Sequence, residues 1–139
     1  MSNYNLVFNE YCWRGKELTA PEKSGIYCAY SCVKQNGQLL VHELLYIGQA
    51  GDLRQRLTQH TQDGDFDSEL NDKKVVFYTW AELDGRSLDA CEAAMIYHFK
   101  PRYNDKLKDR FTGHDTTNVK CSGKWAFRVK EEFTQKPTE

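Results

Sequence analysis

The dipeptide Asn36-Gly37, which stands between two apolar segments, is the feature that most constrains how this chain can fold. Residues 25–33 (GIYCAYSCV) and 39–47 (LLVHELLYI) have the composition of β-strands. Asn-Gly suits a two-residue type I′ turn, because both central residues of that turn need a positive φ. The sequence therefore predicts a β-hairpin closed at residues 36 and 37.

This turn also predicts the register of the hairpin. Counting outward from it places Tyr27 directly opposite Tyr46, and Ile26 opposite Ile47. Because side chains alternate along a strand, we expect both phenols on one face of the sheet and both isoleucines on the other. A facing tyrosine pair is also an ordinary cross-strand aromatic contact, so the pairing alone does not identify a site.

A short helix is predicted directly after the hairpin, over residues 51–60 (GDLRQRLTQH). Asp52 is its expected N-cap, and Leu53 and Leu57 are expected to face the core. Arg56 and His60 lie four residues apart on a neighbouring stripe, so their side chains can converge on one point, although an ordinary solvated face has the same spacing.

A third strand is predicted over residues 74–80 (KVVFYTW) and a second helix over residues 86–99, with Ser87 as the N-cap. Pro101 ends this helix, because the residue before a proline disfavours the helical conformation. The apolar stripe of the helix contains Leu88, Cys91 and Met95. Glu92 borders that stripe, which is a position where a carboxylate is either snorkelling to water or held for chemistry.

The remainder of the chain gives weaker patterns. We expect a loop over residues 108–123, a late edge strand over residues 124–130 (KWAFRVK), and frayed residues 131–139. The fold class predicted is α/β of the α+β type, with a small three-stranded antiparallel sheet flanked by helices and an extra C-terminal strand or loop.

Length and composition set the broad class. The chain has 139 residues and a mass of 16.2 kDa, which suits one domain spanning residues 1–139. Apolar residues make up 40% and charged residues 28%, which excludes intrinsic disorder. No apolar run approaches the ~18–20 residues of a membrane span, and the amino terminus lacks the pattern of a signal peptide. We therefore expect a soluble cytoplasmic protein that does not contact membranes.

Charge is balanced overall but unevenly distributed. The 19 basic and 20 acidic residues argue against an obvious basic nucleic-acid binder. Residues 1–97 carry 9 basic and 14 acidic side chains, whereas residues 98–139 carry 10 basic and 6 acidic. If a polyanion binds, we expect it on the carboxy-terminal third, although a solvated, mildly basic tail has the same composition.

The five cysteines predict neither a disulfide framework nor a zinc site. Their number is odd, and neither CxxC spacing nor zinc-finger histidines occur. We expect Cys28 and Cys32 to be small buried apolar residues.

The strongest functional signal is a pair of tripeptides, Gly-Ile-Tyr at residues 25–27 and Tyr-Ile-Gly at residues 46–48. The sequence resembles the GIY-YIG endonucleases, which are named after these tripeptides, and the resemblance extends over residues 25–104. The 18 residues between Tyr27 and Tyr46 are more than is usual in that family, so the hairpin is expected to be longer. Residues 1–24 and 105–139 lie outside the resemblance.

Four further residues match the family at its own spacing. Arg56 lies ten residues after Tyr46, where the family has its catalytic arginine, and His60 lies one helical turn further on. Glu92 opens a segment, EAAMIYHFKPRYN, that resembles the family's metal-binding helix, and Asn104 ends it.

The resemblance implies a GIY-YIG fold and a metal-dependent DNA endonuclease with one Mg²⁺ or Mn²⁺ per active site. Elementary chemistry agrees, since phosphodiester hydrolysis needs a base for water, cationic groups for the developing charge and a Lewis acid at the leaving oxygen. Glu92 would then be the metal ligand, and Arg56 would bind the phosphate.

The two tyrosines, the histidine and the asparagine are implied to be catalytic as well. Tyr27 resembles the general base, but a phenol with a pKa near ~10 is only about one part in a thousand ionised at neutral pH, so it needs help. Tyr46 is expected to hydrogen-bond the phosphate or the attacking water. His60 would relay the proton or orient Tyr27, and Asn104 would anchor the tyrosines or the scissile strand.

DNA is the implied partner. Arg54 is an alternative to Arg56 as the catalytic arginine. The two residues are two positions apart on a helix, however, so they point to different sides, and Arg56 is preferred. The candidate DNA-contacting residues are Arg54, Lys100, Arg102, Lys106, Lys108 and Arg110. Because a single site cuts one strand, cutting both strands requires either a homodimer or two sequential nicks, and a separate subunit is an alternative source of specificity.

Two alternatives to an active nuclease remain at this point. The chain could be a nucleic-acid binding module that keeps these residues without activity, or a purely structural domain in which they only pack. Within the enzyme hypothesis, a restriction or phage nuclease competes with a repair nuclease.

Overall fold

The computed structural model describes residues 1–139 and contains two helices and two β-sheets. The elements in chain order are β1 (Ser2–Val7), β2 (Glu10–Trp13), β3 (Gly25–Gln35), β4 (Gln38–Ala50), α1 (Leu53–Asp63), β5 (Lys74–Glu82), α2 (Leu88–Phe99), β6 (Thr117–Ser122) and β7 (Glu132–Gln135). The three predicted strands are β3, β4 and β5, and they are antiparallel neighbours, so the α+β class is confirmed. A fourth strand, β2, extends this sheet to the order β2-β5-β3-β4.

The predicted hairpin forms, but its register is the predicted one only near the turn. Asn36 and Gly37 have the expected positive φ values of 52° and 76°, and Gln35 pairs with Gln38. Two irregularities farther along each add one residue to β4. Tyr27 therefore pairs with Gly48, and the predicted pairing of Tyr27 with Tyr46 is wrong by two residues.

At the base of the hairpin the shift of two residues keeps the tyrosines and the isoleucines on their predicted faces, because the strand repeat is two residues. Ile26 and Cys28 point into a core shared with α2 and the second sheet. Tyr27 and Ala29 point into a second core shared with α1. Both faces of the first part of β3 are covered, which explains why residues 26–30 are all apolar instead of alternating. The predicted burial of Cys28 and Cys32 is confirmed, and all five cysteines are free thiols.

Helix α1 begins as predicted. The side chain of Asp52 accepts a hydrogen bond of 3.1 Å from the backbone N–H of Gln55, and Leu53 and Leu57 are fully buried. The helix ends at Gly64, whose φ of 69° gives the left-handed turn that commonly closes helices.

Helix α2 begins differently from the prediction. Ser87 stands before its first residue but makes no side-chain bond to the helix. Instead, the carboxylate of Asp84 accepts from the N–H of Arg86 at 3.0 Å in a preceding 3₁₀ turn, Gly85–Ser87. The helix ends before Pro101, as predicted. No helix of the protein is both long enough and apolar enough to cross a lipid bilayer.

The flanking segments build the second sheet, in the order β1-β6-β7. The edge strand predicted over residues 124–130 is wrong, because this segment forms turns whose aromatic side chains pack inward instead of pairing in a ladder. The prediction of frayed residues 131–139 is wrong for β7, which pairs with β6. The loop predicted over residues 108–123 is wrong at its end, where β6 pairs in parallel with β1.

Candidate active site

The candidate residues gather around one edge of the four-stranded sheet. Because β4 is an edge strand, side chains from both faces of the sheet can meet around it. A cavity of about 290 Å³ is lined there by Tyr46, Glu92, Asn104 and Lys106, among others. A second depression of about 360 Å³, lined partly by Arg56, lies against the end of β4 and the start of α1.

The centre of the site is a buried contact between Tyr27 and His60. Their side chains are buried, and the phenol oxygen of Tyr27 lies 2.6 Å from Nε2 of His60. The ring of Tyr46 lies 6.1 Å from that of Tyr27 and 5.3 Å from that of His60, measured between centroids. The guanidinium of Arg56 lies beside both phenols. The predicted stripe on α1 therefore does bring Arg56 and His60 to the tyrosines.

The second signature glycine is explained by the observed register. A Cβ atom added to Gly48 would lie 2.4 Å from both the phenol oxygen and Cζ of Tyr27, far inside van der Waals contact. Tyr27 thus lies across its own cross-strand partner, and only a residue without a side chain leaves room for it. Close approach, and not a positive φ, is the reason for glycine at this position.

Asn104 binds the backbone of β4 at Ile47, next to Gly48. Its side-chain Nδ2 donates to the carbonyl oxygen of Ile47 at 2.9 Å, and its Oδ1 accepts from the N–H of Ile47 at 3.0 Å. The residue is buried, and Ile47 lies between Tyr46 and Gly48. Asn104 therefore satisfies both backbone groups of an edge-strand residue in the middle of the tripeptide.

Asp65 completes the arrangement and was not among the residues singled out from the sequence. Its Oδ2 lies 2.6 Å from Nδ1 of His60, on the opposite side of the ring from Tyr27. The available signal was Gly64, a typical helix-ending residue, which implies that the chain reverses beside the last turn of α1. Nothing in the spacing indicated which following side chain would return to His60.

The protonation of this group follows from burial and bonding. Burial, and next the proximity of Tyr46, raise the pKa of Tyr27 well above its ordinary value, while Arg56 opposes that rise. Burial lowers the pKa of His60 below 6.5, although the bond to Asp65 works in the other direction. Both shifts favour the neutral forms, a phenol for Tyr27 and an imidazole for His60.

Glu92 reaches the site from α2. The side-chain Nε2 of Gln49 donates both to Oε1 of Glu92 at 3.0 Å and to Oδ1 of Asp89 at 2.8 Å. Burial raises the pKa of Glu92, while the bond from Gln49 opposes this. Glu92 is partly buried and lines the same cavity as Tyr46.

This donor set fits a hard divalent cation held by few protein ligands. No three or more of the histidine, cysteine and carboxylate side chains lie together as a ready-made metal cage. Mg²⁺ commonly binds through one or two carboxylates and completes its shell with water and substrate phosphate oxygens. The carboxylate of Glu92 beside an open cavity is consistent with that mode.

Two of the arginines proposed as DNA contacts are ion-paired with carboxylates of the protein. Arg102 donates to Glu43 at 2.9 Å and to the buried Glu69 at 3.0 Å. Arg54 donates to Glu22 at 2.9 Å and to the backbone carbonyl of Ala20 at 2.8 Å.

The other basic candidates differ in how free they are. Arg110 donates to the backbone carbonyl of Glu139 at 3.0 Å. The ammonium group of Lys100 donates to the backbone of Lys108. Lys106 is exposed and lines the cavity that contains Glu92, so among the six it is the one placed beside the candidate site.

Comparison with known proteins gives one family match and several relatives. A family model described as the GIY-YIG catalytic domain matches residues 23–104. A relative named UvrABC system protein C, from Fervidobacterium nodosum, is 37% identical over 95 residues, which cover 64% of this chain and 14% of that protein. A protein of the same name from Rickettsia rickettsii (strain Sheila Smith) is 29% identical over 98 residues, covering 69% of this chain and 14% of that protein. The chain thus spans about a seventh of the length of these relatives, and no solved structure matches it.

Proposed function

The chain belongs to the GIY-YIG catalytic domain family, and from this premise we propose that it is a metal-dependent DNA endonuclease. The observation that carries the proposal is the buried pair of Tyr27 and His60, with Arg56 on one side and Glu92 across the edge strand. A purely structural domain has no need to bury a phenol against an imidazole beside a guanidinium and an open cavity.

The proposed reaction is an attack of water on the phosphorus of a phosphodiester. As the new P–O bond forms, the oxygen of Tyr27 accepts a proton from the water and passes its own proton to Nε2 of His60. This transfer avoids the free phenolate, which the raised pKa of Tyr27 disfavours. The bond to the leaving oxygen breaks, and that oxygen takes a proton from solvent, giving an alcohol and a phosphate monoester.

The charge that develops on the phosphate is met by Arg56, whose planar guanidinium can donate two hydrogen bonds to phosphate oxygens. Tyr46 donates to the same group or orients the water. A divalent cation at Glu92 would supply Lewis-acid stabilisation of the phosphate and leaving oxygens. Asn104 acts indirectly. It fixes the backbone of β4 at Ile47, which lies between Tyr46 and Gly48.

DNA is the proposed substrate, and its contacts are proposed chiefly for Lys106, with Lys100 and Lys108 nearby on the same segment. We assign Arg54, Arg102 and Arg110 a smaller part, because their guanidinium groups already have partners within the chain. One site cuts one strand, so double-strand cutting would require a homodimer, sequential nicks or a partner subunit that supplies specificity.

A role in DNA repair is favoured over restriction or phage functions. The support is the name of the relatives, UvrABC system protein C, which are similar to this chain over 95 and 98 residues.

The test is cleavage of supercoiled plasmid and of branched, flapped and nicked duplexes by the purified protein. Each substrate is incubated with Mg²⁺, with Mn²⁺ and with EDTA, beside Glu92→Ala and Glu10→Ala. Glu10 is an exposed carboxylate at the start of β2, on the opposite edge of the sheet from β4, so its variant controls for loss of a carboxylate elsewhere.

We expect cation-dependent cleavage by the wild type and by Glu10→Ala, and none by a folded Glu92→Ala. Cleavage that persists in EDTA or in Glu92→Ala would contradict the metal role. Binding of DNA without cleavage of any substrate would favour a binding module that keeps the residues without the activity.

A further inference from the structure

The last turn of α1 brings a carboxylate back onto the ring of His60. The left-handed Gly64 donates to the carbonyl oxygens of His60 and Thr61, and the N–H of Asp65 donates to the carbonyl oxygen of His60 at 3.2 Å. This reversal places the Asp65 carboxylate 2.6 Å from Nδ1 of His60. The only close neighbour of a Cβ atom added at Gly64 would be the exposed and movable carboxylate of Asp67, so the positive φ of 69° is what favours glycine here.

The segment that carries Asp65 is fixed in place by its neighbours. Phe66 is buried, and its ring lies 5.3 Å from that of His60 and 5.5 Å from that of Tyr103. Three residues further on, the buried Glu69 accepts from the hydroxyl of Tyr103 at 2.6 Å and from Arg102 at 3.0 Å. Asp65 therefore stands on an anchored segment, and its contact with His60 does not depend on a free loop.

The hydrogen bonds of His60 determine which ring nitrogen carries the proton. A carboxylate can only accept, so Nδ1 must donate to Asp65. A neutral imidazole has one donor and one acceptor nitrogen, so Nε2 is left to accept from the hydroxyl of Tyr27. Asp65, His60 and Tyr27 thus form one directed chain of hydrogen bonds that ends at the candidate base.

We infer that Asp65 is a positioning residue of the proposed nuclease: it holds His60 in the Nδ1–H tautomer, so that Nε2 can take the proton of Tyr27. The inference rests on the proposed function. When Nε2 gains that proton, His60 becomes an imidazolium, and the adjacent carboxylate stabilises the positive charge. The neighbouring carboxylate of Asp63 accepts instead from Gln59 at 2.8 Å.

Several charged or titratable groups surround the imidazole. Tyr27 and Tyr46 face it from the sheet, and Arg56 faces it from its own helix. Asp63 and Asp65 follow it in the chain, and Asp65 is the one in contact. Burial and Arg56 disfavour the protonated ring, whereas Asp65 favours it. Removing the charge of Asp65 is therefore expected to lower the pKa of His60 further.

The experiment combines a direct observation of the tautomer with cleavage kinetics. The full chain is labelled with ¹⁵N, and two-bond proton–nitrogen correlations of the four histidine rings are recorded at neutral pH. His60 is assigned by the signal that is missing in His60→Gln. Asp65→Asn keeps the shape of the side chain but offers an amide donor to Nδ1, and Asp63→Asn is the matched control.

We expect the wild type and Asp63→Asn to carry the His60 proton on Nδ1. In Asp65→Asn we expect the proton on Nε2, cleavage slower by about 100-fold or more, and Asp63→Asn within about twofold of the wild type. We also expect the acid limb of the pH–rate profile of Asp65→Asn to move to lower pH, because the bond from Asp65 raises the pKa of His60. A merely structural loss would lower the rate without moving that limb.

Two results would overturn the inference: an Nε2–H tautomer in the wild type, or unchanged cleavage in Asp65→Asn. The first needs no variant, so it decides the matter even if Asp65→Asn folds poorly. Failure of the wild type to cleave any DNA with any metal would instead refute the proposed function, and the wild-type spectrum would still test the tautomer.

Discussion

The two ends of the β3–β4 hairpin are made from the same strands but are held by different forces. At the tip, the Asn36-Gly37 turn determines the pairing, and the side chains of Leu39 and Leu40 are 48% and 47% exposed. At the base, Tyr27 is 1% exposed, and the pairing differs by two residues from the one that the turn predicts. Turn chemistry thus determines the register only until tertiary contacts outweigh it, and the candidate site lies where they do.

The contacts that act at the base are specific. Tyr27 lies over Gly48 and against His60, and Asn104 binds both backbone groups of Ile47. None of these contacts is local in sequence. The tip can therefore be altered with effects on stability alone, whereas changes at the base are expected to affect chemistry.

The largest contrast is expected between two glycine substitutions. Gly48→Ala forces the phenol of Tyr27 to move, which breaks its bond to His60 and lowers the cleavage rate by about 100-fold or more, since misplacement by about 1 Å has effects of that size. Gly37→Ala places a side chain at a positive φ and lowers the free energy of unfolding by about 1–2 kcal/mol without changing the rate. Urea unfolding and plasmid cleavage are measured for both, and equal rates would show that the two ends do not differ as described.

A pH profile sharpens the chemical half of the comparison. The neutral form of His60 accepts the proton of Tyr27, so cleavage is full above the pKa of His60 and falls about tenfold per pH unit below it. Burial places that pKa below 6.5, so the fall is expected only at acidic pH. The profile is recorded at saturating metal, so that protonation of Glu92, whose pKa is raised by burial, contributes little to the change in rate. A rate that is flat through the acidic range would rule out a neutral His60 as the proton acceptor.

An effect on stability, smaller than the expected changes in cleavage rate, is expected for Asn104→Ala. Its loss leaves the N–H and carbonyl of Ile47 without partners in a buried position, which lowers the free energy of unfolding by about 1–3 kcal/mol. Asn118→Ala is the control, because Asn118 bonds side chains on an exposed part of the second sheet. Thermal unfolding compares the two variants, and an equal loss of stability would mean that Asn104 has no special anchoring role.

Local sequence patterns predicted much of the fold. The Asn36-Gly37 turn, the N-cap Asp52 and the end of α2 before Pro101 all depend on interactions within a few residues, and the structure confirms them. The register at the base could not be predicted, because it depends on how Tyr27 fits against β4 and α1.

Long-range pairing accounts for the errors in the flanks. Strand β6 pairs with β1 although more than a hundred residues separate them, and no local pattern indicates such a partner. In residues 124–130, aromatic side chains gave a strand-like composition, but Trp125 packs on Tyr11 and Phe127 packs on Tyr30 and Phe77. The aromatic composition of this segment therefore reflects the packing of its side chains in the core and not pairing in a β-sheet.

The sequence predicted which candidate residues lie close together, but not the hydrogen bonds that connect them to the rest of the protein. The tripeptides and the spacing of Arg56, His60 and Glu92 brought together residues that the fold places around one sheet edge. The bond from His60 to Asp65 depends on the reversal at Gly64, and the partners of Arg102 depend on where β4 and residues 67–69 meet. Spacing in one helix cannot indicate either.

The most direct test of the central claim compares Tyr27→Phe with Tyr30→Phe in single-turnover cleavage of a DNA substrate at saturating metal. Both residues are buried in β3 and each loses one hydroxyl, but Tyr30 faces the other core and donates to the backbone of Phe127. We predict a rate for Tyr27→Phe lower by about 10²–10⁴-fold, with the rate of Tyr30→Phe unchanged and both proteins folded. A Tyr27→Phe rate within about threefold of the wild type would contradict the assignment of the catalytic proton transfer to this end of the hairpin.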